Sequence, residues 1–105
     1  MNYMDRKLII ANWKMNPETE SAAIELARNA DVLGVVIVPP FPFIQAVGKI
    51  LKRAALGAQD VFWENSGAYT GEVSPIMLKR LGVSYVIVGH SERSRYFKET
   101  DEIIS

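Results

Sequence analysis

Apolar residues fall along this chain in two alternating patterns: short unbroken runs, and longer stretches where they recur every three or four positions. The first run, Leu8-Ile9-Ile10-Ala11, predicts a strand ending at Asn12. Asn16-Pro17 then reads as a helix N-cap followed by proline at the first helical position. Glu18 and Glu20 put negative charge in the first turn, where the helix dipole favours it. Ala22, Ala23, Leu26, Ala27 and Ala30 supply the apolar face of that helix. A second strand over 33–38 is closed by Pro39-Pro40. The second helix, over 43–54, carries Phe43, Ile44, Val47, Ile50, Leu51 and Ala54 on one face, and Gly48 interrupts it at a cost of ~1 kcal/mol relative to alanine.

Leu56-Gly57-Ala58-Gln59 is a short third strand, and residues 60–73 form a polar, glycine-containing loop too long for a plain connector. Ser74-Pro75 repeats the cap-then-proline signal and opens a third helix that ends at Leu81-Gly82. Tyr85-Val86-Ile87-Val88 is the fourth strand, ended by Gly89. Thr100 would cap a fourth helix, yet Ser105 follows barely a turn later, so a truncated helix is expected there. Strands alternating with helices of this length imply right-handed βαβ units on a parallel sheet, and continuous rather than alternating apolar strands suit a sheet covered on both faces. Four such strands leave two unpaired edges.

Composition narrows the function classes. A chain of 105 residues supports one domain, and 49% hydrophobic residues predict a packed core. Twelve basic and twelve acidic residues cancel, which argues against nucleic acid or an anionic membrane as the main partner. There is no cysteine and one histidine, so thiolate and multi-histidine metal sites within the chain are excluded. Residues 1–5 lack a signal-peptide pattern and read as a flexible tail, and no apolar run approaches a membrane span, so a soluble cytoplasmic protein is expected. The single histidine, His90, follows the fourth strand directly. It is the one side chain whose unperturbed pKa lies near neutrality, at the strand end where α/β proteins gather ligands.

Four motifs occur in order: Asn12-Trp13-Lys14-Met15-Asn16, Gly57-Ala58-Gln59-Asp60, Gly67-Ala68-Tyr69-Thr70-Gly71-Glu72-Val73-Ser74-Pro75, and Val86-Ile87-Val88-Gly89-His90-Ser91-Glu92-Arg93. Together they closely resemble the N-terminal part of triosephosphate isomerase, over almost the whole chain from about Arg6 onward. That family forms a (βα)8 barrel of about 250 residues. The resemblance therefore implies an α/β half-barrel: four parallel strands each followed by a helix, the last helix truncated.

By that resemblance Lys14 is the ammonium that helps hold a phosphorylated triose, and Asn12 is an amide donor in the same pocket. Read alone, Lys14 is a surface lysine after a strand and Asn12 a turn residue. His90 would act as a neutral electrophile toward the substrate carbonyl, a behaviour known for the family and not read from this chain. Ser91-Glu92-Arg93 can open a helical turn beneath its ring, with Glu92 as the carboxylate behind the site. Ser94 stands where a second arginine is common in the family. The long loop, with Tyr69, Thr70 and Glu72, resembles the family's projecting loop, so a second copy of the barrel is expected to receive Thr70, and Gln59 to support the loop's base. Trp13, Phe62 and Trp63 read as packing residues.

The family's glutamate base, phosphate grip and lid come from later strands, and Glu64, Glu72 and Glu99 do not match the base. The leading expectation is the N-terminal half of a split triosephosphate isomerase. A complementary C-terminal half-barrel chain would complete it, and the assembly would interconvert dihydroxyacetone phosphate and D-glyceraldehyde 3-phosphate in glycolysis and gluconeogenesis without metal or organic cofactor. The alternative is a catalytically inactive, self-associating half-barrel, and a third reading is a binding module for a phosphate ligand.

Overall fold

A computed structural model of the chain describes residues 8–87. Its elements are β1 (Ile9–Asn12), α1 (Glu20–Ala30), β2 (Val35–Val38), a 3-10 turn (Phe41–Phe43) leading into α2 (Ile44–Ile50), β3 (Ala55–Ala58), α3 (Pro75–Arg80) and β4 (Val83–Val86). All strand pairs are parallel, and the strands lie in the order β1-β2-β3-β4. Sequential order with right-handed crossovers winds every connection the same way, so the helices gather on one face. This is the expected half of a (βα)8 barrel, and α1 packs against α2 within it.

The helix-facing side forms one core. Ile37, Leu56, Ala58, Val83 and Val86 of the sheet meet Ala23 and Ala27 of α1, Ile44 and Val47 of α2, and Leu78 of α3. Trp13 packs at its border, as expected of it. Val83 and Val86 stand three apart in sequence yet share this core. A register shift explains it: Leu56 pairs with Val83 but Gly57 with Tyr85, which leaves Ser84 as an extra residue in β4. Val36 and Val38 lie on the other face of β2, where a Cβ on Gly57 would sit 2.8 Å from Val38 Cγ2 and 3.0 Å from Val36 Cγ1. Glycine at 57 is therefore what lets β2 and β3 bring their inner faces together.

Several boundaries differ from the pattern-based expectation. α1 starts at Glu20 and is capped by Thr19, whose Oγ1 accepts the Ala22 N–H at 3.2 Å, so Asn16-Pro17 is not the cap. Asn16 closes a turn instead, donating its N–H to the Trp13 carbonyl at 3.2 Å. The capping hydroxyl must sit three residues before its acceptor-seeking amide, and Thr19 is the residue at that spacing. Leu26 of the predicted apolar face is exposed. β4 begins two residues earlier than predicted. α3 behaves as expected, with the buried Ser74 Oγ accepting the Met77 N–H at 3.2 Å and Pro75 at the first position. The fourth helix, the truncation after Thr100 and the tail at residues 1–5 lie outside the described residues.

α2 ends at Ile50 rather than continuing to 54, and the cause is Asp31. This residue caps the end of α1 and aims its carboxylate at the connection between α2 and β3. Oδ2 accepts the Lys52 N–H at 2.8 Å, while Oδ1 accepts those of Arg53 at 2.8 Å and Ala54 at 2.7 Å. Three successive amides turned toward one anion cannot also return to helical carbonyls, so Leu51 turns extended and the chain drops into β3. These three hydrogen bonds, reinforced by the charge of Arg53, hold the Asp31 carboxyl below the usual aspartate range.

Two outcomes follow. Because its folded-state pKa is lowered, Asp31 stabilises the fold above the ordinary aspartate pKa of about 3.9, and that stabilisation is lost as pH falls through the folded value. Urea midpoints should rank wild type above Asp31→Asn above Asp31→Ala at neutral pH, with the Asp31→Asn gap closing as the pH falls below the ordinary aspartate range. A gap independent of pH would contradict the clamp. Gly57→Ala should cost about 1–3 kcal/mol by overpacking, since the two valines are stiff at χ1, and Val38→Ala in the same chain should return part of it.

Candidate active site

The carboxyl ends of the strands collect the residues singled out by sequence. Asn12 is the last residue of β1 and pairs in register with Val38, so it stands on the inner-face side of the sheet beside the end of β2. The chain then turns sharply. Trp13 donates its N–H to the Val38 carbonyl at 3.0 Å, and Lys14 follows with φ of 57°. A lysine in the left-handed region is uncommon, and such backbone costs about 1–3 kcal/mol unless its surroundings determine it.

Here the surroundings do. The Lys14 N–H donates to Asn12 Oδ1 at 2.9 Å, and the Lys14 carbonyl accepts from Gln59 Nε2 at 2.6 Å. Gln59 lies just past the end of β3 and reaches across β2 to do this, with its Nε2 also 3.4 Å from the Val38 carbonyl. Asn12, Lys14 and Gln59 thus form one hydrogen-bonded group across three strand ends. Sequence reasoning placed Gln59 as support for the long loop; its amide nitrogen grips the Lys14 turn. The strained φ of Lys14 was not legible, since no residue type there signals it.

The loop over 60–73 leaves from the same edge. Its base is closed by the Phe62 N–H donating to the Val73 carbonyl at 2.8 Å. Its tip is a turn in which the Glu72 N–H donates to the Tyr69 carbonyl at 3.0 Å, with Gly71 at φ of 82° in the position that requires it. Thr70 is therefore at the exposed tip, between Tyr69 and Gly71. Phe62 contacts Trp63 and Tyr69 with ring centroids 4.1 and 4.4 Å apart, which gives the loop a small packing centre of its own. Trp63, expected as a packing residue, remains about half exposed while stacked on Phe62.

β4 continues toward the same end, with the Ile87 N–H donating to the Ala58 carbonyl at 2.9 Å. His90 and Glu92 lie outside the described residues. Among the described residues no group of three or more His, Cys, Asp or Glu side chains is arranged to hold a metal ion, and no helix is long and apolar enough to cross a membrane.

A family model for triosephosphate isomerase matches residues 7–105. The triosephosphate isomerase of Dictyoglomus thermophilum is 54% identical over 110 residues, which cover 97% of this chain and 44% of that relative. The triosephosphate isomerase of Caldanaerobacter subterraneus subsp. tengcongensis is 48% identical, covering 97% of this chain and 44% of its own. That of Trichodesmium erythraeum is 48% identical over 95% of this chain and 46% of its own. The chain spans less than half the length of these curated relatives. With four parallel strands in sequential order, helices between them, and a match over nearly every residue, the chain belongs to the triosephosphate isomerase family.

Proposed function

We propose that this chain contributes the first four βα units and one side of the active site of a triosephosphate isomerase. A complementary C-terminal half-barrel supplies strands five to eight, and the assembly interconverts dihydroxyacetone phosphate and D-glyceraldehyde 3-phosphate in the cytoplasm. The observation that carries the catalytic part is the clamped Lys14 turn at the end of β1. It supports an ammonium held against a dianionic substrate, because a strained backbone fixed at both ends is how a long flexible side chain is given a fixed origin.

Within this reading Asn12 offers its N–H donors to a substrate oxygen, since its carbonyl oxygen is committed to the Lys14 N–H. His90 donates a hydrogen bond to the substrate carbonyl as the complementary half's glutamate removes a carbon-bound proton. The resulting enediolate is reprotonated on the neighbouring carbon while the hydroxyl proton passes from the first oxygen to the second, so two protons change place and nothing is oxidised or reduced overall. Glu92 stands behind this site. Thr70, with Tyr69 and Glu72, docks into a second copy of the barrel.

The need for a complementary half is supported by β1. This strand pairs with β2 on one side, and Ile9 and Ile10, which point to opposite faces, are 68% and 55% exposed. A parallel strand apolar on both faces is built to be covered on both, and its outer edge carries amide groups able to pair with another strand. Strand eight of a closed barrel is the occupant that satisfies all three.

The decisive measurement mixes this chain with the C-terminal part of the Dictyoglomus thermophilum relative and assays isomerisation. Activity should appear in the mixture and be absent from either component. Full activity in this chain alone, or none in a mixture that forms a stable complex, overturns the proposal, and native mass spectrometry showing only multiples of this chain favours the self-associating alternative. In the active assembly, Lys14→Met should lower kcat/KM by ~100-fold or more. A loss below tenfold would remove Lys14 from the site.

A further inference from the structure

We infer that the amino end of the sheet is a docking face for an anionic lipid surface. The inference is independent of the isomerase reading, since it uses none of the residues at the carboxyl ends. Twelve basic and twelve acidic residues cancel along the sequence, but the fold sorts those described to opposite ends. Each helix runs back toward the amino ends of the strands and carries cations in its last turn. These are Arg28 of α1, Lys49 of α2, and Lys79 and Arg80 of α3, and Lys52 and Arg53 follow α2. All six are exposed, and Lys14 is the one other basic residue described, at the carboxyl end. Acidic residues do the reverse. Glu18 and Glu20 lie at the start of α1, and Asp60, Glu64 and Glu72 lie in the loop that leaves the carboxyl ends. Asp31 is the one carboxylate described at the amino end, and it is turned onto three backbone amides.

The six cations form one arc. Asp31 ties the end of α1 to Lys52 and Arg53, and α2 approaches α3 so closely that a Cβ on Gly48 would lie 3.4 Å from the Leu81 carbonyl oxygen. Helix dipoles favour cations in last turns, which accounts for four of them. That does not account for Lys52 and Arg53, beyond the end of α2, nor for the apolar side chains set among the cations. Val32 and Leu33, in the turn between α1 and β2, are 53% and 82% exposed, and Leu81, directly after Arg80, is 37% exposed. Apolar tips flanked by cations suit a surface with anionic headgroups over an apolar interior. A nucleic acid would satisfy the cations and leave Leu33 in water. Docked on lipid, the chain has its acidic end repelled, so the Lys14 turn faces solution.

Flotation of this full chain with lipid vesicles tests the inference. The chain should bind vesicles of mixed phosphatidylserine and phosphatidylcholine, release with added salt, and ignore pure phosphatidylcholine. Lys79→Gln together with Arg80→Gln should weaken binding about 25-fold, and Leu33→Ser about tenfold. These positions are exposed, so urea midpoints should stay at the wild-type value and separate lost docking from lost folding. Orientation has its own readout. Trp13 and Trp63 both lie at the carboxyl end, so brominated lipids should leave their fluorescence intact and quench that of Leu33→Trp. Equal binding to pure phosphatidylcholine overturns the inference and assigns the adhesion to the exposed isoleucines of β1. So does binding unchanged by the Lys79 and Arg80 substitutions, or quenching of Trp13 and Trp63. Retention of poly(U) RNA without vesicle binding also overturns it and gives the arc to nucleic acid.

Discussion

The Asp31 carboxylate is the contact on which the layout of this half-barrel turns. Each βα unit must return its chain to the sheet at the same level, or the next strand pairs out of register and exchanges its two faces. Between α2 and β3 that level is set by three amide hydrogen bonds to one anion fixed at the end of α1. The bond set links two successive connections beneath the strands' amino ends. It also supplies a stop for α2 that local propensity lacks, because Leu51 and Ala54 are good continuations of an apolar helical face.

The opposite end of the sheet solves a different problem. There the proposed site asks for polar side chains turned to a ligand and for a turn with a well-defined backbone. Asn12 and Gln59 fix that turn with primary amides, one accepting the N–H and one donating to the carbonyl of the same residue, Lys14. Anchoring at the amino ends and presentation at the carboxyl ends divide the sheet into a supporting side and a chemical side, the division that barrel enzymes of this architecture share. Val36, Val38 and Gly57 join the two by packing the strands closely between them.

How far the sequence reveals this depends on the range of each interaction. Apolar runs place four strands within about two residues because burial on both faces leaves a contiguous mark. Ser74-Pro75 reads correctly because cap and helix are neighbours. Asn16-Pro17 misleads for the same reason: it carries a local signal, while Thr19 three residues later makes the bond. Asp31 and Gln59 act across 21 to 45 positions, and nothing in the flanking residues announces their partners. Ser84 is similarly silent, since an extra residue in a strand has no residue type of its own. His90 and Glu92 are named by motif alone.

The exposure of β1 carries a consequence for the chain's life in solution. Its two isoleucines present oily surface on both sides of a strand whose outer edge is still able to pair. Such a strand does not discriminate between the correct cover and any other extended segment, so correct pairing becomes a race against wrong pairing. The outcome of that race scales with concentration. Dilution slows misassociation between separate copies, whereas a cover already at hand wins by proximity. For the proposed assembly, yield of the native form is a matter of kinetics and supply as much as of energy.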